Sequence, residues 1–186
     1  MANQVFKGSK AARLAQSGLT LIESAMVLGI AALVLAAALT LYATAHDTQR
    51  TAAALDQMNS IQVGVRQIYG RQATFTGLSP AILISTQIVP LGMVDGTQLH
   101  NAFGGGIAVG TFANNGVTDG GFSVTFDTVP ANSCIVLATK DYGRALAQIV
   151  INDTTFDQTA GILPTVQTAS AACGTAPGTV SWLFKN

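Results

Sequence analysis

The stretch SGLTLIESAMVLGIAALVLAAALTLYATA, Ser17–Ala45, decides how the chain is read. Glu23 is its one charged residue, and from Ser24 to Ala45 there are 22 residues without Asp, Glu, Lys or Arg. As a helix rising roughly 1.5 Å per residue, that run is about 33 Å long, enough to cross a hydrocarbon core of about 30 Å. A lone carboxylate in such a run costs about 2.5–3.5 kcal/mol on insertion scales, so a paired or functional group is expected; a glutamate near the interface, snorkelling or protonated and without a partner, is the alternative.

On the N-terminal side, residues 1–18 carry Lys7, Lys10 and Arg13 and no acid. The positive-inside rule places this leader in the cytoplasm and exports the chain beyond the span. The formal net charge of zero therefore hides an asymmetry, because the remainder holds six basic residues against nine acids, a net of −3. That balance offers no footprint for nucleic acid. On the C-terminal side the helical pattern continues. Leu55, Met58, Ile61, Val65 and Ile68 recur at spacings of 3, 3, 4 and 3, one amphipathic face. No proline interrupts before Pro80, and Gly70 suits a C-cap. One helix is expected from about Leu19 to Tyr69.

The 186 residues divide into a leader (1–18), a hydrophobic half-helix (19–45) and an exported body (46–186) that includes the amphipathic half. Within the body, a short helix is expected between Pro80 and Pro90. GGIAVGTF and GFSVTFD read as strands joined by the turn-rich ANNGVTDG. Pro130 suits a first helical turn, giving a helix that holds Cys134 and ends at Gly143. AQIVIN reads as a buried strand, Pro164–Gly174 as a further helix, and TVSWLF as a terminal strand with Val180, Trp182 and Phe184 on one face. The fold class is α+β, a small, mostly antiparallel sheet on the long helix. Cys134 and Cys173 both lie in the exported part, where a disulfide is the natural state. Two buried free thiols are the alternative.

Catalytic chemistry finds no constellation here. His46 and His100 are the only histidines, and neither sits in a metal-binding spacing. FGGGIAVG lacks the Lys-Ser/Thr of a phosphate loop and reads as a turn into a strand. Asp153 and Asp157 read as solvated loop acids, at best a weak cation site. No enzyme activity, cofactor or metal is expected.

GLTLIE, Gly18–Glu23, resembles the cleavage and methylation site of type IV prepilins: glycine, an apolar residue, Ser/Thr, two apolar residues, glutamate. The long leader, Leu19 in place of phenylalanine and the unkinked first helix make the chain more similar to type IVb pilins, such as the toxin-coregulated and bundle-forming pilins. HDTQRTAAALDQMNSIQVGVRQIY, HNAFGGG and ACGTAPGTV also resemble segments of that family. Two departures from it stand out. Ala102 stands where relatives have proline, and Gln16-Ser17 precede Gly18 where many leaders have a basic residue.

The resemblance implies a type IV pilin fold with a C-terminal disulfide loop. It implies cleavage between Gly18 and Leu19, N-methylation of Leu19 by a prepilin peptidase/methyltransferase, and pairing of Glu23 with the Leu19 amine of a neighbouring subunit. Repetition of such a contact gives an open helical homo-polymer. The small residues Ala25, Gly29, Ala32 and Ala36, spaced 4, 3 and 4, suit close helix packing. The implied course runs from the inner membrane, with the head in the periplasm, through the pilus assembly machinery to an extracellular fibre. Relatives serve in adhesion, aggregation or conjugative mating contact. Two rivals remain: a minor pilin or pseudopilin, and a secreted binding protein released by cleavage after Ala45 in YATAHD.

Overall fold

The computed structural model describes residues 20–186, so Gly18 and Leu19 lie outside the described residues. In chain order the elements are α1 (Leu21–Tyr69), α2 (Pro80–Ser85), a 3-10 turn (Leu91–Met93), β1 (Val94–Asp95), β2 (Gln98–His100), β3 (Gly106–Asn114) and β4 (Val117–Val129). They continue with α3 (Ala131–Thr139), β5 (Leu146–Ile151), β6 (Thr154–Asp157), α4 (Val166–Cys173) and β7 (Gly178–Lys185). Contacts divide the chain into two units, one ending at Ala43 and a body of Thr44–Asn186.

In the first unit α1 is apolar all round and buries nothing. Leu21, Ile22, Leu28, Leu33, Val34 and Leu35 are each more than 60% exposed. By length and composition α1 is able to cross a membrane. The threonine hydroxyls of such a helix need partners, and Thr40 donates its hydroxyl to the Ala37 carbonyl at 2.8 Å.

The body is built on the later turns of α1. The 3.6-residue period puts Ala54, Met58, Ile61 and Val65 on one face, all fully buried, with Leu55 and Ile68 half-buried beside them. The seven strands form one sheet in the order β1-β2-β3-β4-β7-β5-β6, and every neighbouring pair is antiparallel. Alternation turns Phe122, Val124 and Phe126 of β4 and Val180, Trp182 and Phe184 of β7 inward. They meet directly across the ladder as Phe122–Phe184, Val124–Trp182 and Phe126–Val180. Phe122 stacks on Phe184 with ring centroids 5.1 Å apart, and Trp182 meets Phe126 edge-on at 5.3 Å. Arg66, from the last turn of α1, lies over the Phe122 ring and donates to the Lys185 carbonyl at 3.1 Å. At Gly64 a methyl of Ile88 occupies the space where a side chain would begin, so only glycine lets the loop after α2 close on α1.

Several boundaries differ from the sequence reading. The loop expected over ANNGVTDG contracts to Asn115-Gly116, both at positive φ (51° and 77°), and the strands run on through its polar residues. Asn-Gly is the pair that a two-residue hairpin turn favours. Helix α3 stops at Thr139 rather than at Gly143, because Lys140 is extended. The chain then folds back, with Asp141 accepting from the Gly143 amide and the Tyr142 hydroxyl donating to the Leu137 carbonyl at 2.9 Å. Helix α4 starts at Val166, where Thr165 and Thr168 form a reciprocal capping box. The terminal strand β7 lies inside the sheet, between β4 and β5.

Cys134 of α3 and Cys173 of α4 form a disulfide with Cα atoms 6.0 Å apart, and both are 2% exposed. The bond closes 40 residues, worth about 4 kcal/mol on the chain-entropy account. Cys134→Ser is expected to lower the denaturant midpoint of the detergent-solubilised chain, and reducing agent should bring the parent protein down to the same midpoint.

Thr128 sits in the bulge where the β4–β7 register shifts, at φ 58°, a conformation that a β-branched residue adopts only under strain. Its side chain is exposed. Thr128→Gly is therefore expected to stabilise the fold by about 1 kcal/mol, read as a raised denaturant midpoint.

Candidate assembly surface

The N-terminal turn of α1 explains how a glutamate is carried there. The Thr20 carbonyl accepts from the Ser24 amide at 3.0 Å, and the Thr20 hydroxyl oxygen accepts from the Glu23 amide at 3.3 Å. Thr20 is thus the N-cap and Glu23 the third helical residue, the T-x-x-E spacing of a capping box. The Ser24 hydroxyl donates to the Leu21 carbonyl at 3.0 Å. Glu23 therefore lies at the helix end that carries a partial positive charge. That field favours an exposed carboxylate by about 0.3–1 kcal/mol.

Around Glu23 the residues expected to pack helices are present on an uncovered surface. Ala25, Gly29, Ala32 and Ala36 are exposed, and no heavy atom comes within 4 Å of the space a Gly29 side chain would enter. Helix α1 passes through Ala45 without a break.

The other residues singled out by sequence take ordinary places. His100 lies 3.9 Å from Asp95 across the β1–β2 hairpin. Asp157 accepts from Thr159 and Gln148, which hold its carboxyl at about 2, well below the ordinary 3.8, and the backbone amides of Thr159 and Ala160 add to the effect. Hydrogen bonds from Thr111 and Thr76 likewise lower Asp119, which clips the loop after α1 to the β3–β4 hairpin. Burial pushes the Tyr142 hydroxyl up. Among the described residues no group of His, Cys, Asp and Glu is arranged to hold a metal ion.

Comparison with known proteins decides the family. The family model described as bundlin matches residues 43–183. The chain is 33% identical over 139 residues to the major structural subunit of the bundle-forming pilus of Escherichia coli O127:H6, covering 74% of this chain and 71% of that protein. This chain belongs to the bundlin family. It is a type IV pilin, a structural subunit. The pilin is also 30% identical over 129 residues to the toxin coregulated pilin of Vibrio cholerae, covering 67% of this chain and 58% of that one. Its fold matches the crystal structure of a type IVb pilin from Salmonella typhi, with a TM-score of 0.54 at 20% identity over 70% of this chain and 99% of the other.

Asn101 of HNAFGGG has a role that sequence did not show. It is 5% exposed and spends its amide on four backbone groups. Its Oδ1 accepts from the Phe103 and Gly105 amides, and its Nδ2 donates to the carbonyls of Asp127 and Gly106. A Gly105 side chain would strike the Asp127 carbonyl. The signal was a polar residue next to a glycine run, ahead of an apolar strand. The departure at Ala102 now has a consequence, because its amide donates to Gln57 Oε1 of α1 at 2.9 Å, a bond that proline cannot make. In this pilin Ala102→Pro is expected to cost about 1 kcal/mol, and Gln57→Ala about as much, with no further loss in the double variant. Denaturant unfolding of the three variants checks the coupling.

Proposed function

We propose that this pilin is the major subunit of a type IVb pilus, cleaved after Gly18 on the cytoplasmic face and N-methylated at Leu19. The reading is carried by Glu23: one carboxylate, capped into the first turn of an otherwise uncharged and fully exposed apolar run. Cleavage would create an amine four residues away, and the Leu19 amine of an adjacent subunit supplies a cation for Glu23. Attraction between the two recruits a subunit and sets its axial register. The same contact repeated is heterologous, so it extends into a helical homo-polymer rather than closing.

Before assembly the apolar half of α1 is held in the inner membrane, with the body in the periplasm and a prepilin peptidase/methyltransferase and the inner-membrane assembly machinery as partners. Afterwards neighbouring helices replace lipid around residues 21–42, drawn close along Ala25, Gly29, Ala32 and Ala36. The extracellular fibre would then act in adhesion, aggregation or mating contact.

The decisive measurement is the intact mass and N-terminal sequence of protein recovered from membranes and from sheared surface fibres. Methylated Leu19, abundant in the sheared fraction, is the expected result. The same terminus confined to membranes would make the chain a minor pilin or pseudopilin, and a terminus at His46 would remove the assembly helix altogether. Glu23→Ala is expected to leave the membrane-resident protein at its normal amount and to abolish sheared fibre. Normal fibre from that variant would refute the pairing.

A further inference from the structure

The body carries a groove of about 450 Å³ between the α1 turns that follow Thr44 and helix α3. Its α1 side includes Thr48, Thr51, Ala52 and Leu55, and its α3 side includes Ser133 and Val136. The hydroxyl groups here are already spent. Thr48 donates to the Thr44 carbonyl at 2.9 Å, Thr51 donates to the Asp47 carbonyl at 2.8 Å, and the Thr51 and Ser133 oxygens bond to each other across the two helices at 2.8 Å. Apart from Asp47 and the exposed Asn132, the surface left for an occupant is small and apolar, flanked by the half-exposed Val136 and by Leu55. Asp47 is the one charged residue in the lining.

We infer that this groove seats the apolar part of α1 from a second copy of the chain. The inference rests on the fibre-subunit reading above and names the surface that receives the helix. Three observations select the occupant. The chain itself carries an unmatched apolar helix, with Leu21, Leu28 and Leu35 at 88%, 71% and 64% exposure and seven residues apart, two turns of helix. Size is complementary, because large side chains meet a groove floored by Thr, Ala and Ser, the condition for ridges to enter it. Charge is compatible around Leu28 and Leu35, since Ser24–Ala45 brings no charge toward Asp47 or into the apolar lining. In a homo-polymer each subunit both offers the helix and presents the groove, so the contact is heterologous and repeats along the fibre.

The test uses the full chain in cells that make fibres. Thr48→Cys is combined in turn with Leu21→Cys, Leu28→Cys and Leu35→Cys, mild oxidant is applied, and sheared fibres and membranes are compared on non-reducing gels. At least one pair is expected to link subunits into dimers and ladders in the fibre fraction and not in the membrane fraction. Ala52→Phe fills the groove from an exposed position. It should lower fibre yield about tenfold or more, the scale set by overpacking a contact, while the Cys134–Cys173 bond and protease resistance of the body persist. Fibres of normal yield with none of the three links, or with Ala52→Phe tolerated, would overturn the groove assignment while leaving the pilin reading intact. Equal linking in membranes would overturn it as well. Absence of any fibre from the parent chain would instead count against the fibre-subunit reading.

Discussion

Everything in the body depends on one helix face. Ala54, Met58, Ile61 and Val65 are fully buried in the core with the aromatic residues of β4 and β7, and Gly64 lets the loop after α2 close against the same helix. Around this contact the aromatics run as a connected series from Tyr69 through Phe75, Phe122 and Phe184 to Tyr142 and Trp182. Earlier in the same helix the apolar side chains stay exposed among the described residues.

Polar groups are placed to let that apolar surface exist. Thr20 caps the first turn, Thr40 and Thr48 bond back to their own helix, and Asn101 supplies four bonds where the chain turns from β2 into β3. Each gives a polar donor or acceptor a partner within the fold. Glu23 is the one charged residue of the apolar run, set in its first turn by the Thr20 cap.

The sequence showed those parts of the fold that repeat with a period. The apolar run, the stripe from Leu55 to Ile68 and the alternation of Val180, Trp182 and Phe184 all rest on side-chain direction, which period alone fixes. The short strands β1, β2 and β6 were not legible, because two to four residues hold too little of any period to stand out. The early end of α3 was hidden for another reason: Lys140 turns extended without a proline or glycine to announce it, and the Tyr142 hydroxyl then folds back on the Leu137 carbonyl. The chemistry of Glu23 was legible in one respect, its misplaced charge. Its cap was written in the same six residues but becomes visible only once Thr20 is known to precede the helix.

The placement of β7 bears on when the body is able to form. It is the last strand in chain order, yet it stands between β4 and β5 and supplies Val180, Trp182 and Phe184 to the interior. Until β7 docks, β4 and β5 each present a bare hydrogen-bonding edge, and the interior lacks its largest side chain, Trp182. The sheet therefore closes only once the chain is available through Lys185, and until then β4 and β5 are open to mispairing.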